Sequence, residues 1–250
     1  MRTGVEAARH DGAAPSPGPD SPYWDFYERV ATAQVAEWLP RRPARVLDLS
    51  GRPTFVEQLV QHGHDVLHVS SRNPAPEAAR LTTVDADASR LGWLQDACVD
   101  AVLAESQMLS MCLAAELTAE DLLRVLRPGG QLLLVVESLL LGLARLADQG
   151  RWAELADVPS ADVVLVPAED GSITRCFWPE ELRELLTEVG FEVEWVRPRS
   201  VLVPAAVERA LARGGEGALD TLVRTELALA REREGESAGI HLVASAHRPT

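Results

Sequence analysis

The chain of 250 residues contains no lysine: all 24 of its basic residues are arginine. Without a lysine amine there is no Schiff base to a carbonyl or to pyridoxal phosphate, and no lysine for a phosphate-binding P-loop. Cysteine is scarce as well. Cys98, Cys112 and Cys176 are odd in number and far apart, a spacing that builds neither a metal site nor a disulfide framework and points to a reducing cytoplasm. No apolar run is long enough for a membrane. The longest, residues 132–146, is broken by Glu137, Ser138 and Arg145 and falls short of the roughly 20 residues a bilayer needs. Residues 1–20 lack the apolar segment of a secretory signal. Positive charge is also in deficit: 38 acidic residues leave a net charge of −14, which repels a phosphate backbone and disfavours nucleic acid as a partner.

What is present is an ordinary globular composition, 46% hydrophobic and 25% charged. Residues 10–22 mix Pro, Gly, Ser and Asp without periodicity, so residues 1–20 are expected to be a disordered leader to a folded domain over 21–250. From Pro22 to Leu39 apolar positions recur at three and four, which predicts a helix. Short apolar runs then alternate with helical stretches. Strands are predicted at 45–49, 65–70, 81–85, 99–104 and 131–136, and helices at 54–62, near 76–80 and at 114–126, with a turn at Arg127-Pro-Gly-Gly130. Five such strands predict a parallel sheet buried on both faces. Alternation then stops. Residues 138–146 and 151–155 read as helical, 162–166 and 172–177 as a hairpin, and 179–189 as a helix stopped by Gly190. Strands at 192–196 and 240–245 bracket helices at 205–213 and 219–232 and finish the sheet as an antiparallel pair. The expectation is a doubly wound α/β fold with a mostly parallel, seven-stranded sheet. A helical and hairpin cap is expected from the first helix, the insert 138–177 and the segment 203–233.

Four local patterns carry a resemblance to the class I S-adenosylmethionine-dependent methyltransferases. Val46-Leu-Asp-Leu-Ser-Gly-Arg-Pro53 stands where that family has its glycine-rich motif, and Val84-Asp-Ala-Asp-Ala88 is similar to its adenine-binding segment. Residues 126–134 resemble the turn into its fifth strand, and 177–191 the helix leading to its sixth. The resemblance covers the chain from about Tyr23 to the end. It implies S-adenosylmethionine as cofactor, methyl transfer to a small molecule, and cofactor contacts from Tyr27, Asp48, Ser50, Gly51, Arg52, Ser70, Asp87 and Ala88. This sequence departs from the family at the glycines, whose places are taken by Ser50, Arg52 and Thr54, and at the ribose-binding acid, replaced by Ser70. One hydroxyl offers less than two carboxylate oxygens, so weakened cofactor binding is expected.

Several residues carry two readings. Asp87 either holds the adenine amino group or caps a helix; Asp48 either orients the amino-acid end of the cofactor or caps its loop. Arg52 either clasps the cofactor carboxylate or repels its sulfonium. Glu105 and Glu137, ending the fourth and fifth strands, are the candidate catalytic carboxylates for proton removal. Their alternative is solvation or pairing with arginines such as Arg175. Tyr23, Trp24 and Tyr27 either cover the cofactor or are core. Trp152, Phe177 and Trp178 suit an apolar or aromatic acceptor. No histidine spacing fits zinc, so His62, His64 and His241 are expected to be structural or solvated. The alternative to an enzyme is a protein of this fold that has lost cofactor use and acts as a ligand-binding or protein-interaction module.

Overall fold

The computed structural model describes residues 17–18, 20–70, 79–112, 114–168 and 170–250. Most of the expected leader, and the helical stretch expected near 76–80 except its last two residues, lie outside the described residues. Helix α1 (Tyr23–Trp38) is followed by β1 (Arg45–Asp48), α2 (Pro53–Gln61), β2 (Asp65–Val69), β3 (Leu81–Val84) and β4 (Val99–Ala104). Then come α3 (Met108–Met111), α4 (Ala115–Val125) and β5 (Leu126–Glu137). The insert holds α5 (Leu139–Asp148), α6 (Trp152–Asp157), β6 (Val164–Pro167) and β7 (Ile173–Cys176). The chain finishes with α7 (Pro179–Val189), β8 (Glu192–Arg199), α8 (Pro204–Arg213), α9 (Ala218–Glu232) and β9 (His241–His247).

The main sheet has seven strands in the order β3-β2-β1-β4-β5-β9-β8. Strands β1 to β5 are mutually parallel, and β9 runs antiparallel to both of its neighbours. The order reverses between β1 and β4. Open α/β sheets bind ligands outside the carboxyl ends of the strands at such a switch point.

Strand alternation sends side chains to two cores. Val46, Val66, Leu103 and Leu133 pack under Ala31 and Val35 of α1 and Phe55 and Leu59 of α2. Leu47, Leu67, Val102 and Leu132 face Leu122 of α4 and Leu182 and Leu186 of α7 on the other side. Burial on both faces is why these strands are almost wholly apolar.

Two boundaries differ most from expectation. Strand β5 begins at Leu126, because the expected turn is a bulge within the ladder: Leu126 pairs with Val99 and Gln131 with Ala101. Gly129 supplies the positive φ of 75° that the excursion needs. Strand β8 continues to Arg199, through an Arg-Pro-Arg that reads as loop. Pro198 is tolerated there because β8 is an edge strand.

Around the sheet, Tyr23, Phe26, Tyr27 and Val30 of α1 form a cluster with Val207 of α8 and with Leu219, Leu222 and Val223 of α9. The insert buries its own cluster, which includes Leu139, Leu146, Val164 and Cys176. No helix among the described residues is long and apolar enough to cross a membrane.

Candidate functional site

At the carboxyl ends of β1 to β4 lies a cavity of about 670 Å³. Ser50 and Gly51 form one wall, Ser70 another, and Asp87 and Ala88 a third, with Ser106 at the end of β4. Five residues expected at a cofactor site, Ser50, Gly51, Ser70, Asp87 and Ala88, therefore meet around one space. Gly51 has φ of 65°, and nothing lies within 4 Å of where a β-carbon would stand. The loop thus keeps its one glycine where the backbone turns left-handed and faces open space.

Asp87 is exposed and its Oδ1 accepts from the N–H and hydroxyl of Ser89, at 2.9 and 2.7 Å. Those bonds hold its carboxyl below the usual carboxylate range. No helix begins at Asp87 among the described residues, so in place of the expected helix cap it closes a turn, while Oδ2 makes only a 3.8 Å approach to Arg90 Nε. Ser106 Oγ is buried with no hydrogen-bond partner among the described residues. The next residue, Gln107, is left-handed at φ 48°, a strained conformation of the kind that gathers at functional sites.

The other candidates stand away from this cavity. Asp48 is fully buried beneath the loop: Oδ2 is 2.6 Å from His68 Nδ1, and Oδ1 accepts from Ser50 N at 3.1 Å. The register that sets Asp48 opposite His68 on β2 brings the pair together. Its geometry is that of a loop anchor. Arg52 precedes α2, its guanidinium 6.0 Å from the rings of both Tyr27 and Phe55. No carboxylate among the described residues pairs with it.

Tyr27 lies in a buried polar cluster. Arg199, at the end of β8, is wholly buried and forks onto Glu105, with Nη1 to Oε2 at 2.9 Å and Nη2 to Oε1 at 2.5 Å. Its Nε donates to Gln34 Oε1 at 2.6 Å, and Tyr27 Oη lies 3.4 Å from Nη1 and 3.2 Å from His241 Nδ1. The neighbouring carboxylate holds Arg199 firmly protonated against the desolvation that opposes it. Burial, with Arg199, Arg145 and Arg52 nearby, pushes His241 down to about 3, so it is neutral, and its Nδ1 shares one hydrogen bond with Tyr27 Oη.

Neither catalytic candidate is free. Glu105 belongs to Arg199, and Glu137 to Arg145, with Nη2 to Oε1 at 3.1 Å and a second, shorter contact. Arg175 instead holds Glu116 and Glu181. In both candidates the guanidinium occupies the carboxylate oxygens. The aromatic acceptor candidates are also separated. Phe177 is core beneath Arg175, Trp152 is 67% exposed and Trp178 is partly exposed at the start of α7. Tyr23 is buried, while Trp24 is exposed.

Arg199, His68 and Ser106 were not legible as site residues. Arg199 lies beyond the expected end of its strand, and His68 sits inside an apolar run whose pairing partner appears only once the strands are in register. His241 is structural as expected, through Tyr27.

The family described as methyltransferase domain matches residues 30–134. The match covers less than half of the chain. It spans α1 to β5 and contains every wall of the cavity. The methyltransferase fold recurs in solved structures. One is the 1,6-didemethyltoxoflavin-N1-methyltransferase of Burkholderia thailandensis, solved with 1,6-didemethyltoxoflavin and S-adenosylhomocysteine. It is 19% identical with a TM-score of 0.56, over 92% of this chain and 82% of that one. Another, from a complex with the Haloferax volcanii Trm112 methyltransferase activator, is 15% identical with a TM-score of 0.57, over 90% and 92%. A third is the [4+2]-cyclase SpnF, 19% identical with a TM-score of 0.53, over 97% and 89%. At these identities the likeness is one of fold. No curated protein matches the chain.

Proposed function

We propose that the protein is an S-adenosylmethionine-dependent methyltransferase acting on a small-molecule acceptor, with the nucleoside half of the cofactor seated in the cavity at the ends of β1 to β4. The observation that carries this is the convergence of Gly51, Ser70, Asp87 and the unpartnered Ser106 hydroxyl on one space. The residues present fit the group. Open space over Gly51 lets backbone approach a ribose, Asp87 Oδ2 stands ready for an amino group, and Ser70 replaces a bidentate acid with one hydroxyl. Arg52 is the group for the cofactor carboxylate, since an unpaired guanidinium over two rings is a prepared carboxylate site.

When bound, S-adenosylmethionine supplies an electrophilic methyl group on sulfur. This chain's residues then bind and orient. With Glu105 and Glu137 both held by arginines, the acceptor is one whose nucleophilic atom needs no strong base, and proximity supplies most of the rate. A second reading, a protein of this fold that has lost cofactor use and acts as a ligand-binding or protein-interaction module, draws on the same two ion pairs. Native mass spectrometry of the purified protein separates the two. S-adenosylmethionine or S-adenosylhomocysteine is expected to travel with the folded chain. A folded chain that holds neither, even after both are added, rejects the cofactor reading.

A further inference from the structure

Between β1 and α2 the loop that walls the cavity has a single glycine, Gly51, at φ 65°. The rest of its path is set by side chains that bond back to its own amides. Asp48 Oδ1 accepts from Ser50 N at 3.1 Å, and Ser50 Oγ accepts from Arg52 N, also at 3.1 Å. Two successive bonds thus fix residues 48–52, and Ser50 and Gly51 stand on the cavity.

The first of these bonds is only as fixed as the Asp48 carboxylate, whose other oxygen turns to His68. Oδ2 is 2.6 Å from Nδ1, and neither side chain has any exposure. Parallel register sets the two residues opposite each other. Val46 and Val66, two residues earlier on the same strands, belong to the core under α1 and α2, so Asp48 and His68 share that face. The other buried residues of both strands are apolar.

His68 makes no second bond. Its Nε2 is buried without a hydrogen-bond partner among the described residues, so the imidazole brings an unmade polar group into the core and forms one hydrogen bond there. An apolar side chain of similar volume would serve the core at lower cost. It would not hold Asp48.

We propose that His68 is a positioning residue for the cavity at the ends of β1 to β4: by pinning Asp48 it keeps Ser50, Gly51 and Arg52 in the shape that receives the ligand. His68 is not among the residues lining the cavity, and it acts through Asp48. The inference rests on the cofactor reading for the identity of that ligand, and on the hydrogen bonds alone for the hold on the loop.

The test compares two variants of the full chain. His68→Leu fills the space without a hydrogen bond, whereas His68→Asn places an amide where Nδ1 stands, able to donate or to accept. The backbone amide signals of Ser50, Gly51 and Arg52 in a nitrogen-proton correlation spectrum are expected to move in His68→Leu and to stay close to wild type in His68→Asn. S-adenosylhomocysteine, titrated calorimetrically, is expected to bind His68→Leu about tenfold more weakly and His68→Asn within about threefold of wild type. A role in packing alone would not separate the variants in this way. In the wild type, where no substitution can disturb folding, S-adenosylhomocysteine should shift the imidazole nitrogen signals of His68 while those of His62, exposed ahead of β2, stay still. Loop amides that do not move in His68→Leu, that move alike in both variants, or that move while wild-type affinity is kept overturn the proposal. So does a wild type that binds with its His68 signals unmoved. A wild type that binds no S-adenosylhomocysteine fails the cofactor reading instead, and the loop amides of the two variants then support or overturn the hold of His68 on the loop by themselves.

Discussion

The fork between Arg199 and Glu105 joins the carboxyl ends of β8 and β4 through two side chains that have almost no exposure. Taking one ion out of such a pair leaves the other desolvated without a counter-charge. Arg199→Met is therefore expected to cost about 3–5 kcal/mol of stability, and joint replacement with Glu105→Leu to recover most of that. Urea unfolding of the two variants checks the claim; equal losses in both would mean that the pair is not the source. His241 gives a pH signature. Its folded pKa of about 3 lies far below the ordinary histidine value near 6.5, so between those limits the unfolded chain carries a proton that the folded chain refuses. Stability from this residue is full above pH 6.5 and falls as pH drops, by up to about 1.4 kcal/mol per unit. His241→Asn, which keeps an acceptor where Nδ1 stands, should flatten the acid side of the stability profile by one proton. An unchanged slope would contradict the assigned neutral state.

Elements were more legible than their contacts. Helix α7 was readable at both ends, since Pro179 opens it and Gly190, at φ 112°, closes it. The short helix α3 was missed, because four residues carry no period. The insert was readable as helices and a hairpin, but its packing was not. Gly142 in α5 stands where a β-carbon would lie 2.8 Å from Cys176 Sγ and 2.9 Å from its Cβ on β7. The helix thus rests directly on the hairpin, and only a residue without a side chain permits it. Gly142→Ala should push α5 off β7 and cost about 1–3 kcal/mol. A melting temperature unchanged by that substitution would show that the hairpin yields freely. The cavity walls at Ser50, Gly51 and Asp87 were legible because each follows a strand by a fixed few residues. The pairs Asp48 with His68 and Glu105 with Arg199 were not, because long-range register and an unexpectedly long β8 create them.

For the whole molecule, a net charge of −14 makes Arg52, which pairs with no carboxylate among the described residues, a local partner for an incoming carboxylate. We propose that the cavity at the ends of β1 to β4 seats the nucleoside of S-adenosylmethionine. Calorimetric titration with S-adenosylhomocysteine, which has no methyl group to transfer, tests it directly. One molecule is expected to bind per chain, with affinity lowered by the serine at the ribose position. Asp87→Ala should weaken Kd roughly tenfold, about 1.4 kcal/mol, with the melting temperature nearly unchanged, since Asp87 is exposed and bonds only a local turn. Absence of binding to the folded protein, or a Kd indifferent to Asp87→Ala, would contradict the claim.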